Sequence, residues 1–250
     1  MTPSHPTALF TALACMLGLG AWSMSPLEAP LTPFADEFSF LGISNGKNVL
    51  SGLSFLIVGF YGLTRRPRFD LGRDVLVSMA LSCVGFVAMG GLVTWYHYDP
   101  SLVSRLSAHL AMSMVVMNGA FALISAQLPL RGRWWLLVAS QFIAFGTASY
   151  EFWYEDKRYL LMSQLFLVLL VMFSLVRVWR HEYSRLLAYA LVTLGVSALC
   201  GYLDRPILKM SAYSVSGHTL QQLLWSLAGL LILRFLVVIR PSELSPTQLD

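Results

Sequence analysis

The chain has 250 residues, 56% of them hydrophobic and only 12% charged, with a formal net charge of +4. Charge is about half as frequent as in an ordinary soluble domain, too sparse to give a fold of this size a solvated skin. The mean hydropathy of +0.65 excludes disorder, a coiled coil and a disulfide-stapled secreted scaffold. Cys15, Cys83 and Cys200 lie in separate apolar runs without CxxC spacing. Neither a zinc finger nor an iron–sulfur cluster is indicated, and buried thiols acting as small apolar residues are expected. The basic residues are scattered between apolar runs, the pattern of a polytopic membrane protein and not of a nucleic-acid binder.

Crossing the hydrocarbon takes roughly 20 helical residues. Eight runs qualify, at about 8–25, 48–64, 74–96, 105–129, 134–150, 159–179, 185–203 and 217–239. Only helices and closed barrels satisfy the backbone in lipid, and runs this long and continuous are helices. The expected fold is an all-α integral membrane protein with eight transmembrane helices. Residues 1–33 would hold an extra N-terminal membrane helix or signal anchor, 34–240 the main membrane domain, and 241–250 a cytoplasmic tail. A cleaved signal peptide has a basic start, whereas no Lys or Arg precedes Lys47, so a retained first helix is the expected reading.

Charge sets the expected orientation. Eleven basic residues, beginning with Arg65, Arg66, Arg68 and Arg73, fall on the side reached after the second, fourth and sixth runs and at the C-terminal end. The other side holds six: Lys47, Arg105, Lys157, Arg158, Arg205 and Lys209. The positive-inside rule then places both termini in the cytoplasm if the first run is kept, with a bacterial inner membrane as the expected location.

The residues able to do chemistry gather at the outer ends of the runs. Asn48 and Ser51 open the second run, and His97 closes the third. His109 lies about one turn into the fourth. Residues 150–159 form an expected outer loop. Asp204 ends the seventh run and His218 opens the eighth, with Gln222 one turn below it on the same face. Ionisable residues within a membrane are costly and point to function. Three histidines from different helices at one depth could hold a zinc ion with water in the fourth position. They could equally be interfacial imidazoles bonded to neighbouring helices. A bis-histidine haem lacks any pairing pattern, and no lysine lies mid-helix to form a retinal Schiff base. The outer aromatics Trp95, Tyr96, Tyr98, Tyr150, Trp153, Tyr154 and Tyr159 fit an interfacial belt or a lipid-entry gate.

Four segments carry a resemblance. They are Phe34-Ala35-Asp36 through Leu41-Gly42-Ile43 to Asn48-Val49-Leu50-Ser51; Tyr96-His97 followed by Pro100; Tyr150 to Gln164; and Ser216-Gly217-His218-Thr219-Leu220. In order and spacing, from about residue 34 to 235, they resemble bacterial alkaline-ceramidase-like proteins. That family belongs to the CREST superfamily of seven-helix membrane proteins, which includes metal-dependent amidases and the progestin and adipoQ receptors. The resemblance implies that runs two to eight form that seven-helix core.

It also implies a zinc held by one histidine at a helix end and by HxxxH opening the last helix. A serine four residues before the first histidine and an aspartate eleven after it would complete the site. His97 and His218 match the metal ligands. Gln222 stands at the second HxxxH histidine, Val93 at the serine and Ala108 at the aspartate, while Gly52 and Gly201 replace an Asn and an acid of the pattern. Valine cannot hydrogen-bond an oxyanion, alanine cannot take a proton from water, and a Gln side chain is a poor zinc ligand beside imidazole. His109, next to Ala108, could supply a third ligand. The implied function is a zinc-dependent hydrolase of the amide bond in ceramide-type lipids, a metal-bound hydroxide attacking the acyl carbon. The alternative is a non-catalytic member acting as a lipid-binding, receptor-like or scaffold membrane protein. The expected partner in either reading is a membrane lipid or ceramide-like substrate, with no nucleic acid. Asn48, Ser51 and Asp204 are the expected supporting residues.

Overall fold

The computed structural model describes residues 19, 20, 23, 25, 38–65, 72–127 and 134–239. Apart from those four early residues, the expected first helix lies outside them, as does the tail 241–250. The described residues form eight α-helices: α1 (Gly46–Thr64), α2 (Arg73–Tyr98), α3 (Leu102–Gln127), α4 (Trp134–Tyr154), α5 (Arg158–Arg177), α6 (Ser184–Tyr202), α7 (Asp204–Met210) and α8 (Gly217–Val238). They contain no sheet, and Phe40 and Ile43 form an isolated bridge ahead of α1.

Six of these helices, α1, α2, α3, α5, α6 and α8, are long and apolar enough to cross a membrane. Of the other two expected spans, the first lies outside the described residues and the fifth is α4, which is long enough but less apolar. The protein is a multi-pass helical membrane protein. The 21 residues of α4 rise about 31 Å, enough to span the hydrocarbon, but its Ser, Gln, Thr, Tyr and Glu residues lower its hydropathy. It nevertheless lies antiparallel along α3. Gln141 Nε2 donates to Asn118 Oδ1 at 2.9 Å, Thr147 Oγ1 to Ser113 Oγ at 3.4 Å, and Glu151 meets His109 at 2.5 Å. Each rung satisfies a polar group that lipid could not, as expected of polar residues between membrane helices.

Helix α1 packs on α2 and α8, α3 packs on α2, α4 and α5, and α6 on α5 and α8. The α1–α2 contact is close because of glycine. A Cβ on Gly59 would lie 2.8 Å from both the Cys83 carbonyl oxygen and the Val87 backbone nitrogen. The outward faces carry Ile57, Phe60, Val84, Phe142, Phe145, Val176 and Val192, all exposed. A soluble protein rarely shows apolar surface on this scale, whereas lipid accepts it.

The chain breaks place the chemistry at one end. Asp99-Pro100 terminates α2 just after His97, since proline cannot continue the ladder. Ser101 and Ser104 then cap α3 reciprocally: Ser104 N donates to Ser101 Oγ at 3.1 Å and Ser101 N to Ser104 Oγ at 2.9 Å. Ser216 caps α8 by accepting from Thr219 N at 3.1 Å. Two expectations change here. The outer loop 150–159 shrinks to residues 155–157, because Tyr150–Tyr154 is the last turn of α4 and α5 begins at Arg158. Asp156 holds that start by accepting from Arg158 N at 3.0 Å and Arg158 Nε at 2.7 Å. Asp204, expected to end a helix, instead begins the short α7.

Candidate functional site

His97, in the last turn of α2, is 1% exposed. His218 and Gln222 stand one turn apart at the start of α8. The three converge: Gln222 Nε2 lies 2.5 Å from His97 Nε2 and 2.9 Å from His218 Nε2. Each partner fixes the next. Ser51 Oγ donates to Gln222 Oε1 at 2.7 Å, which turns the amide nitrogen toward the imidazoles. His218 Nδ1 faces Gln221 Oε1 at 3.1 Å. A carbonyl oxygen only accepts, so that nitrogen carries the hydrogen and Nε2 is the acceptor. The Gln222 amide nitrogen thus faces the His218 Nε2 lone pair on one side and His97 Nε2 on the other.

A polar shell holds this trio. Asn48, fully buried, accepts from Thr219 Oγ1 at 2.7 Å, joining α1 to α8. Asp204 Oδ1 accepts from the His218 backbone N–H at 2.7 Å, so it positions the helix start and its contact with His218 is to the main chain. Asn45 Nδ2 donates to the His97 carbonyl at 3.1 Å. Gly201 explains itself here: a Cβ would come within 2.5 Å of Gln221 Oε1, so the missing side chain leaves room for the carboxamide that orients His218. Gly52 plays a similar spatial part, since a Cβ there would lie 2.7 Å from Thr94 Oγ1.

The trio borders a cavity of about 230 Å³ walled by α1, α2, α3, α5 and α8. Val93 and Ala108 both line it. At the places where the resemblance expects a serine and an aspartate, the wall is apolar. His109 lines the same cavity, but its Nδ1 is held by Glu151 Oε2 at 2.5 Å, and Tyr96, 6% exposed, packs between the rings. The other Glu151 oxygen faces Arg105 Nε at 3.8 Å, both side chains 3% exposed. Lys157, in the turn before α5, completes the cavity's polar end. Of the outer aromatics, Tyr98, Trp153 and Tyr154 are exposed at this level, as an interfacial belt requires.

The donor set can be tested against zinc. Nitrogen ligands at ~2.0–2.1 Å from a tetrahedral zinc lie about 3.3 Å apart. The separations here, 2.5 and 2.9 Å, are hydrogen-bond lengths with no room for an ion between them. An amide nitrogen has no lone pair to give a metal. Among the described residues, no three His, Cys, Asp or Glu side chains form a group able to hold an ion. The residues present do not fit the metal that the resemblance implies.

The chain matches no protein-family model and no curated protein. Two residues of the site, Arg105 and Gln221, lie outside the segments that carry the resemblance, and two more, Glu151 and Lys157, lie inside one of them without a role that the sequence assigns. One signal for the first was present, since Arg105 and His109 are four apart and share a helix face. Glu151 could not be paired with them without knowing that α4 returns along α3.

Proposed function

We propose that this membrane protein binds a lipid in the cavity beside His97 and His218, and that it is a divergent relative of the alkaline-ceramidase-like proteins it resembles, without their zinc-dependent hydrolysis. The observation that carries this reading is the position of the Gln222 amide nitrogen, within hydrogen-bonding distance of both imidazoles, on the residue where the resemblance implies a third histidine. The cavity walls support the lipid part. Phe55, Met89, Val93, Met112, Leu160 and Trp225 give it an apolar body, and Leu161, 42% exposed, lies both on its lining and on the surface. Lipid-binding sites combine an apolar body of this kind with a few fixed polar groups.

Elemental analysis of the purified protein, paired with an assay of ceramide cleavage, tests the reading. Zinc well below one per chain and no turnover above background are expected, together with crosslinking of a photoactivatable lipid to residues of the cavity. One zinc per chain and ceramide hydrolysis abolished by chelation would overturn it. A second reading, metal-free cleavage of a lipid amide, has one observation in its favour: the imidazole–carboxylate pair of His109 and Glu151 at the cavity wall, which is able to take a proton from water. That reading requires hydrolysis that survives chelation and is lost in His109→Gln.

A further inference from the structure

The polar end of the cavity has an uneven charge. Arg105 and Lys157 line it, and no aspartate or glutamate does. Glu151 is divided between two lining residues, His109 at 2.5 Å and Arg105 Nε at 3.8 Å, while Asp156 pairs with Arg158 and Asp204 holds the His218 backbone. Lys157 forms no ion pair with a carboxylate of the described residues. No carboxylate of the lining offsets Arg105 and Lys157. Lys157 is half-buried in the turn before α5, and withdrawing part of a charge from water without a partner carries a cost that a bound anion offsets. Burial holds the Lys157 ammonium pKa below the usual lysine range; Glu151 pulls the other way and Arg105 adds to the lowering.

We infer that Lys157, with Arg105 beside it, anchors the anionic head of a single-chain amphiphile, a carboxylate or a phosphate monoester, whose chain runs along the apolar wall. The inference rests on the lipid-binding reading above and names the ligand class. Size agrees with it. A cavity of about 230 Å³ is smaller than the ~300–1,000 Å³ of sites that enclose a drug-sized ligand. It takes a headgroup and the first carbons, and the rest of the chain leaves past Leu161. A neutral amide head would leave the excess cation unanswered; an anion neutralises it. The Gln221 carboxamide, whose oxygen meets His218 Nδ1, lines the same cavity and has N–H groups for the atoms next to the head.

The experiment is equilibrium binding to the full chain in nanodiscs of neutral lipid. The probes are radiolabelled laurate, dodecyl phosphate and lauramide, with acetate and inorganic phosphate as competitors. Laurate and dodecyl phosphate are expected to bind more tightly than lauramide, and acetate and inorganic phosphate to compete only weakly because they lack the chain. Lys157→Met is expected to weaken both anionic amphiphiles on the order of 10- to 100-fold, the cost of removing one charge from a close pair, and to leave lauramide unchanged. Lys157→Arg is expected to keep most of the affinity, which separates loss of charge from loss of fold. Equal binding of lauramide and laurate, both indifferent to Lys157→Met, would overturn the anionic head and leave lipid binding standing. Binding of acetate and phosphate as tightly as their long-chain counterparts would overturn the amphiphile in favour of a small-anion site. Failure of all three amphiphiles to bind would remove the lipid-binding reading itself.

Discussion

Gln222 concentrates the chemistry of this protein in one side chain. Its amide reaches three partners on α1, α2 and its own helix: the Ser51 hydroxyl, His97 Nε2 and His218 Nε2. Replacing it by leucine keeps the volume but takes the shared partner from two imidazole nitrogens, while the Ser51 hydroxyl keeps the Asn48 carbonyl at 2.9 Å. Each orphaned group costs about 1–3 kcal/mol, so Gln222→Leu is expected to lower the unfolding midpoint clearly in a thermal scan. Gln222→His together with Val93→Ser and Ala108→Asp restores the pattern that the resemblance implies. That triple variant is expected to raise zinc content above the parent's, measured by elemental analysis after purification in metal-buffered solution. Equal zinc in both would show that the spacing of the two native histidines, and not Gln222, sets metal affinity.

At the scale of the element, α1 and α2 are bound by close approach and α3 and α4 by polar rungs. Any side chain at Gly59 meets the backbone of α2 at Cys83 and Val87, which cannot give way as a flexible side chain would. Gly59→Val is expected to destabilise by about 1–3 kcal/mol or more, the cost of overpacking a tight interface, read as a lower thermal midpoint in detergent. Gln141→Leu removes the rung to Asn118 while making α4 more apolar. Interhelical hydrogen bonds in membranes average about 0.6 kcal/mol, so the expected change is small and an unshifted midpoint is compatible with it. A loss as large as that of Gly59→Val would mean that the amide pair fixes the register of α4. Helix α4 thus illustrates how a segment of modest hydropathy keeps its place: its polar groups are answered by α3 and not by lipid.

Among the described residues, the polar residues at the starts of α1, α3, α5 and α8 and the ends of α2 and α4 lie at one end, while Arg65, Arg73, Arg177, Arg180 and Arg185 lie at the opposite helix ends. The positive-inside rule assigns the first end to the outer face. A cysteine in place of Ser214, exposed in the turn before α8, is expected to react with an impermeant thiol reagent in intact cells. One in place of Glu182, exposed between α5 and α6, is expected to react only after permeabilisation. Cys83 and Cys200 are buried and should contribute little background. The reverse labelling pattern would turn the molecule over and open the cavity to the cytoplasm.

By itself the sequence determined the helices, because twenty-residue apolar runs have one stable form in hydrocarbon, and it determined which end collects the polar residues, because the runs are punctuated by Asp99-Pro100 and Ser216-Gly217. It also placed His97, His218 and Gln222 at one depth, since their distances from helix ends are countable. The tertiary structure decided what those residues do. Whether Gln222 offers an oxygen or a nitrogen to the histidines depends on Ser51, 171 positions away. Whether His109 joins that pair depends on Glu151, 42 positions away on a helix whose path no local pattern records. Hydrogen-bond direction and charge partnership are set by contacts between helices. They became legible only when α4 was laid against α3 and α8 against α1.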